Sequence, residues 1–205
     1  MAEITIATAR GEARAVLTRV PRAHGALLLG HGAGGGIQAA DLLAVTEVAT
    51  AEGFAVARVL QPYRVAGRRS TPPAAHLDAA WLDVVARLGA RELSGLPLIF
   101  GGRSSGARVA CRTAAPGGAI GVLCLAFPLQ PPRRRADGTL APDRAPELDG
   151  TGVPTLVVQG RRDPFGMPAA APDREVVAVP GDHSLRAGLT ELRAAVPAWL
   201  GQLPL

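Results

Sequence analysis

The sequence predicts an α/β architecture: a mostly parallel, doubly wound sheet of about seven or eight strands with helices on both faces. Three observations predict it. Short apolar runs of strand length alternate with longer segments of helical period along most of the chain. The clearest run, Gly25 to Gly30, is continuously apolar, as a strand buried on both faces is. The 205 residues are 48% hydrophobic and 19% charged, a composition that supports a sizeable core and excludes disorder. Aromatics are only 3%, so that core is built from Ala, Val, Leu and Ile.

The elements follow in order. Glu3 to Thr8 and Ala13 to Arg19 alternate in polarity and turn at Gly11, which predicts an antiparallel edge hairpin. The Gly25 to Gly30 strand runs into the glycine cluster Gly32 to Gly36. Residues 38–52 carry helical spacing through Leu42, Leu43, Val45, Val48 and Ala49, and Gly53 stops them. Phe54 to Leu60 is a strand, Gln61 to Pro73 a loop, and Ala75 to Leu88 a helix with Trp81, Leu82, Val84, Val85 and Leu88 apolar. Leu96 to Gly101 is the next strand, followed by a tight turn and a helix from Ser105 to about Ala114. Ile120 to Ala126 is a strand. Residues 127–150, rich in proline and charge, break the rhythm. Thr155 to Gln159 and Glu175 to Val179 are strands, and Leu189 to Leu200 is a closing helix. No internal repeat or linker divides the chain, which predicts one domain over residues 1–205.

Charge and cysteine content exclude several classes. All 22 basic residues are arginine, and only five serines occur. The net charge of +5 is spread along the chain, with its densest run at Arg133, Arg134 and Arg135. No basic face with aromatic or helical context is visible, so a solvated surface is expected and nucleic acid is not an expected partner. Cys111 and Cys124 lack metal-ligand spacing and read as buried free thiols. The N-terminus has no signal-peptide pattern, and no apolar run reaches the length of a membrane span. The expected location is cytoplasmic, with no membrane partner.

In a doubly wound sheet, function gathers at the carboxyl ends of the strands. Gly102-Arg103-Ser104-Ser105-Gly106 lies between a strand and a helix, the context of a nucleophile elbow. The turn is so sharp that the residues two before and two after the nucleophile must lack bulk. Ser104 has glycine at both positions, whereas Ser105 has Arg103 and Ala107. His31-Gly32-Ala33-Gly34-Gly35-Gly36 follows the earlier strand. Acyl transfer builds charge on a carbonyl oxygen, and fixed backbone N–H groups meet it. One such donor is expected at Ser105 and the other at Ala33 or Gly34. The competing phosphate-loop reading lacks both the Walker lysine and the dinucleotide glycine spacing, since residue 37 is Ile. His31 braces this loop or touches substrate. Asp163, in Gln159-Gly160-Arg161-Arg162-Asp163-Pro164, ends one strand, and His183, in Pro180-Gly181-Asp182-His183-Ser184, ends the next. Asp182 is an alternative partner for His183, but adjacent side chains diverge. The chain order Ser104, Asp163, His183 is that of the α/β-hydrolases.

These residues resemble the α/β-hydrolase superfamily, in particular its dienelactone-hydrolase-like members. The likeness extends to the small hydrolase-like domain of a testis-expressed protein, of a chromatin-acetyltransferase-complex subunit and of many bacterial proteins. It rests on His31 to Gly35, Gly101 to Arg108, Phe127 to Pro132, Gln159 to Gly166 and Asp182 to Ser184, from about residue 25 to 185. The resemblance implies a catalytic triad at Ser104, Asp163 and His183 and little about substrate. Dienelactone hydrolases themselves use cysteine where this chain has Ser104.

The expected chemistry is hydrolysis of a small ester or related acyl compound, with no metal and no organic cofactor. Larger relatives insert a lid after the strand at Ile120 to Ala126; here only residues 127–150 are available, so any lid is short. Pro128, Leu129 and Gln130 are expected to line one wall and Tyr63 and Arg64 another. Arg103 and Arg108 either attract an anionic substrate or pair with scaffold carboxylates. The rival classes are a binding or scaffolding domain with an idle triad, and an acyltransferase using the same residues.

Overall fold

Eight strands form a single sheet in the order β1-β2-β4-β3-β5-β6-β7-β8 in the computed structural model, which describes residues 1–132 and 137–205. The arginine run at 133–135 lies outside the described residues. β1 (Ala2–Thr8) and β2 (Gly11–Thr18) make the antiparallel edge hairpin, and β2 pairs antiparallel with β4 (Phe54–Leu60). From β4 through β3 (Gly25–Gly30), β5 (Leu98–Arg103), β6 (Ala119–Leu125), β7 (Thr155–Gly160) and β8 (Arg174–Val179), every pairing is parallel.

The strands separate two cores by their period of two. Ala26, Leu28, Ala57, Phe100 and Val157 point to one face. There they pack under α3 (Ala74–Gly89) and α4 (Ser105–Gly117), with Trp81 edge-on to Phe100 at 5.7 Å. Leu27, Leu29, Val56, Ile99 and Val158 point to the other, under α1 (Ala40–Ala51) and α6 (Leu189–Leu200). Both faces are therefore covered. That is why β3 and β7 are buried at every residue while the edge strands β1 and β8 keep exposed ones.

The architecture is the one the sequence predicts, with adjustments at element ends. β5 starts at Leu98, two residues late, because Pro97 has no N–H for the ladder and Leu96 closes a turn onto Leu93. Two short helices lie inside expected loops: α2 (Pro62–Val65) and α5 (Ala145–Asp149), each with proline in its first turn. Leu43, counted on the apolar side of α1, is exposed. Strand order reverses between β3 and β5. The crevice at such a switch point is where open α/β sheets bind ligands. The glycine loop follows β3 there, and Ser104 follows β5.

Candidate active site

Ser104 joins β5 to α4 at φ +53° and ψ −108°, backbone that a side-chain-bearing residue rarely adopts. Its N–H donates to the Leu125 carbonyl at 2.9 Å, which pins the turn to the neighbouring strand. The two flanking glycines are sterically required. A Cβ on Gly102 would sit 2.6 Å from the Gly30 carbonyl oxygen, and one on Gly106 would overlap the Gly30 backbone. The turn that presents the hydroxyl therefore exists only because β3 and α4 approach through glycine.

Asp163 follows β7 and His183 follows β8. Gly160 brings their loops together, because its α-carbon lies against the Asp182 backbone with no room for a side chain. His183 Nε2 is 3.0 Å from Ser104 Oγ, and His183 Nδ1 is 2.8 Å from Asp163 Oδ2. The carboxylate can only accept, so Nδ1 carries the proton and the Nε2 lone pair faces the serine hydroxyl. Asp163 is itself fixed. Gln159 Nε2 donates to Oδ2 at 2.9 Å, and the Phe165 N–H donates to Oδ1 at 2.9 Å. The Phe165 ring packs on the imidazole, centroids 4.5 Å apart. Asp182 is engaged elsewhere: its Oδ1 accepts from the Ser184 N–H and hydroxyl, which hold its carboxyl below the usual range.

The glycine loop lies against this line. A Cβ on Gly32 would be 3.6 Å from that of Ser104. The loop closes through Gly35 N–H to the Gly32 carbonyl at 3.0 Å, with Ala33 and Gly34 in the turn. Neither of those two amides bonds to an acceptor among the described residues, and the Ser105 amide is the first of α4, with no carbonyl one turn behind it. His31 is buried beneath the loop. Its Nδ1–H donates to the Gly32 carbonyl at 2.8 Å, and its Nε2 accepts from the Gln61 N–H at 3.1 Å. Burial pushes the His31 pKa down, which keeps the ring neutral.

The other sequence-selected residues fall mainly into scaffold contacts. The Tyr63 hydroxyl donates to the Ala33 carbonyl at 2.8 Å. Burial raises the pKa of that hydroxyl and keeps it a donor. Arg103 reaches Asp41 and the His183 carbonyl. Arg108 pairs with Glu147, and the Arg64 side chain donates to the Arg68 carbonyl. Gln130 donates from its side chain to the Ala141 carbonyl and from its backbone to Phe165. Leu129 packs on the core edge near Gly166. Sequence reasoning did not assign roles to Gln159, Phe165 or Asp41. The available signal was a polar residue at the buried end of a strand and an acid in the first turn of a helix.

A groove of about 640 Å³ lies beyond Tyr63 between the hairpin turn and α3, and Ser104 and His183 are not on its walls. A small cavity lined by His31, Tyr63, Trp81 and Ser105 sits between that groove and the serine turn. Among the described residues, no three His, Cys, Asp or Glu side chains cluster as a metal site, and no helix is long and apolar enough to cross a membrane. Cys111 and Cys124 are free and buried, 3.4 Å apart at sulfur.

No curated protein sequence matches the chain. Solved structures similar to it include an α/β serine hydrolase without a lid from Xanthomonas campestris. That structure is 18% identical with a TM-score of 0.76, over 100% of this chain and 95% of the other. Dienelactone hydrolase from Anabaena variabilis is 17% identical with a TM-score of 0.77, over 100% and 98%. Est1E from Butyrivibrio proteoclasticus is 17% identical with a TM-score of 0.74, over 98% of both chains. These likenesses are of fold. Residues 23–187, from just before β3 to the start of the last helix, match the family described as the alpha/beta hydrolase domain, and the chain belongs to that family.

Proposed function

We propose that the protein is a serine hydrolase of small carboxylic esters, with Ser104 as nucleophile, His183 as base and Asp163 as the group that orients it. The observation that carries the reading is the 3.0 Å approach of His183 Nε2 to Ser104 Oγ, with the serine held at positive φ. His183 takes the Ser104 proton as Oγ attacks the ester carbonyl. The tetrahedral intermediate collapses, and the departing alcohol takes the proton from His183. Water, deprotonated by the same nitrogen, then attacks the acyl-serine and releases the acid. Ser105 N–H and Ala33 or Gly34 N–H are the oxyanion donors, each worth about 3 kcal/mol of barrier in such sites. The chemistry needs no metal or cofactor. A segment after β6 too short for a large lid suits small, soluble esters better than long-chain lipids.

The test is labelling by a fluorophosphonate together with turnover of p-nitrophenyl acetate. The parent protein is expected to do both. Ser104→Ala is expected to lose both, with rate falling by about 10⁴-fold or more. An alanine variant that labels and turns over like the parent refutes the assignment. A parent that folds but does neither favours a binding domain on the same scaffold.

A further inference from the structure

Arg103 is the residue immediately before Ser104, and its side chain bridges two segments far apart in sequence. Its Nε lies 2.8 Å from Asp41 Oδ2, and its Nη2 donates to the His183 carbonyl at 2.9 Å. Its Nη1 lies 3.1 Å from where a Cβ on Gly32 would be. One guanidinium thus contacts the start of α1 and the loop after β8 and lies beside the glycine loop. Asp41 anchors it: the carboxylate is 1% exposed, sits in the first turn of α1, and accepts from the Leu42 N–H at 2.9 Å. Burial raises the Asp41 pKa while Arg103 pulls it down.

We propose that Arg103 is a positioning residue: by tying the His183 backbone to buried Asp41, it fixes the separation between the base and the adjacent Ser104. The inference rests on the reading of Ser104, Asp163 and His183 given above. The His183 ring is restrained by Asp163 and Phe165, but its loop carries Gly181 at φ +98° and Leu185 at φ +55°. The Arg103 bond is one residue from the nucleophile at one end and on the base residue itself at the other. A shift in that loop therefore moves Nε2 directly relative to Oγ. A planar guanidinium spans carboxylate and carbonyl together, and an ammonium reaches one of them. This use of Arg103 differs from attraction of an anionic substrate, because its Nη2 already donates to the His183 carbonyl and its charge is already paired with Asp41.

The experiment compares the full-length parent with Arg103→Lys, Arg103→Ala and Ser104→Ala. Thermal melts, fluorophosphonate labelling rate, kcat and KM on p-nitrophenyl acetate, and the proton NMR signal of His183 Nδ1–H are read for each. Arg103→Lys keeps a cation beside Asp41 and is expected to remain folded. Its kcat and labelling rate are expected to fall by about 10- to 100-fold, with KM near the parent value. The Nδ1–H signal is expected to broaden. Methylguanidinium is expected to restore part of the rate to Arg103→Ala and none to Ser104→Ala. Parent-like labelling and an unchanged Nδ1–H signal in Arg103→Lys overturn the inference, whatever the melting temperature. So does a rise in KM confined to anionic esters with kcat unchanged. Undiminished labelling of Ser104→Ala refutes the underlying assignment instead. If the parent itself neither labels nor turns over, the Nδ1–H signal alone decides: its loss in Arg103→Lys supports the inference and its persistence overturns it.

Discussion

Gln159 shows how one side chain sets the geometry of another. Its Nε2 faces three acceptors, Asp163 Oδ2 and the Phe127 and Gly166 carbonyls, at 2.9 to 3.0 Å. Three acceptors on one side dictate the amide orientation, because a flipped amide would present oxygen to oxygen. Gln159→Leu strips these buried groups of their donor and is expected to cost about 1–3 kcal/mol in urea unfolding. It also frees the Asp163 carboxylate to swing, so kcat is expected to fall more than KM changes. His31 gives a second residue-scale expectation. Its folded pKa is depressed by burial from the ordinary 6.5, so the unfolded chain binds a proton more readily in the window below 6.5. Stability contributed by neutral His31 is present above that value and is lost as pH falls through the depressed folded pKa. His31→Asn is expected to flatten that part of the stability-against-pH curve, and a slope equal to the parent's contradicts the assignment. At this scale the serine turn was legible in sequence, because the required glycines leave a pattern at fixed spacing around Ser104. Asp163 was chosen for His183 from chain order. Gln159 and Asp41 had no such signal, because β7 and α1 bring them in and no local spacing records which loop meets which.

The described residues of the β6-to-β7 connection tie it to the helices beneath and to the acid loop. Glu147 on α5 pairs with Arg108 and Arg112 of α4, and Arg112 also pairs with Asp78 of α3. Arg144 donates from its side chain to the Pro128 carbonyl and from its backbone to Leu129. Gln130 N–H then reaches the Phe165 carbonyl at 2.7 Å, beside the ring that packs on His183. The helix that begins at the serine turn is thereby coupled to the loop that carries the acid. The pairs are partly screened, and each is worth about 1 kcal/mol at most. Glu147→Ala breaks two of them and is expected to lower Tm by about 2–4 °C, an effect that shrinks in high salt. A shift that is independent of salt would place the cost in packing instead. All eight strands and the four longer helices were legible from apolar runs and helical period. α2 and α5, of four and five residues, were not, because a helix of barely one turn has no repeat to read. Proline at their starts marked them as breaks in the pattern, although proline is equally suited to a helix's first turn.

For the whole molecule, the decisive property is that the strand order reverses where chemistry-bearing turns meet. α1 and α6 cover one face of the sheet and α3 and α4 the other, and the candidate site lies at the carboxyl end of the strands, between β3 and β5. Among the described residues of the connection after β6, Glu147 ties α5 to Arg108 and Arg112 of α4, and Arg144 ties back to Pro128 and Leu129. The His183 side chain keeps 21% of its surface exposed. A hydrolase whose site is covered by a mobile apolar lid gains rate when substrate aggregates, because an interface opens the lid. On the reading proposed above, substrate meets the crevice from solution. With a series of p-nitrophenyl esters, velocity is therefore expected to follow dissolved monomer and to level off as each ester begins to form micelles. A jump in rate at that concentration would mean that some part of residues 126–154 closes over Ser104 in water, and would contradict the open-crevice reading.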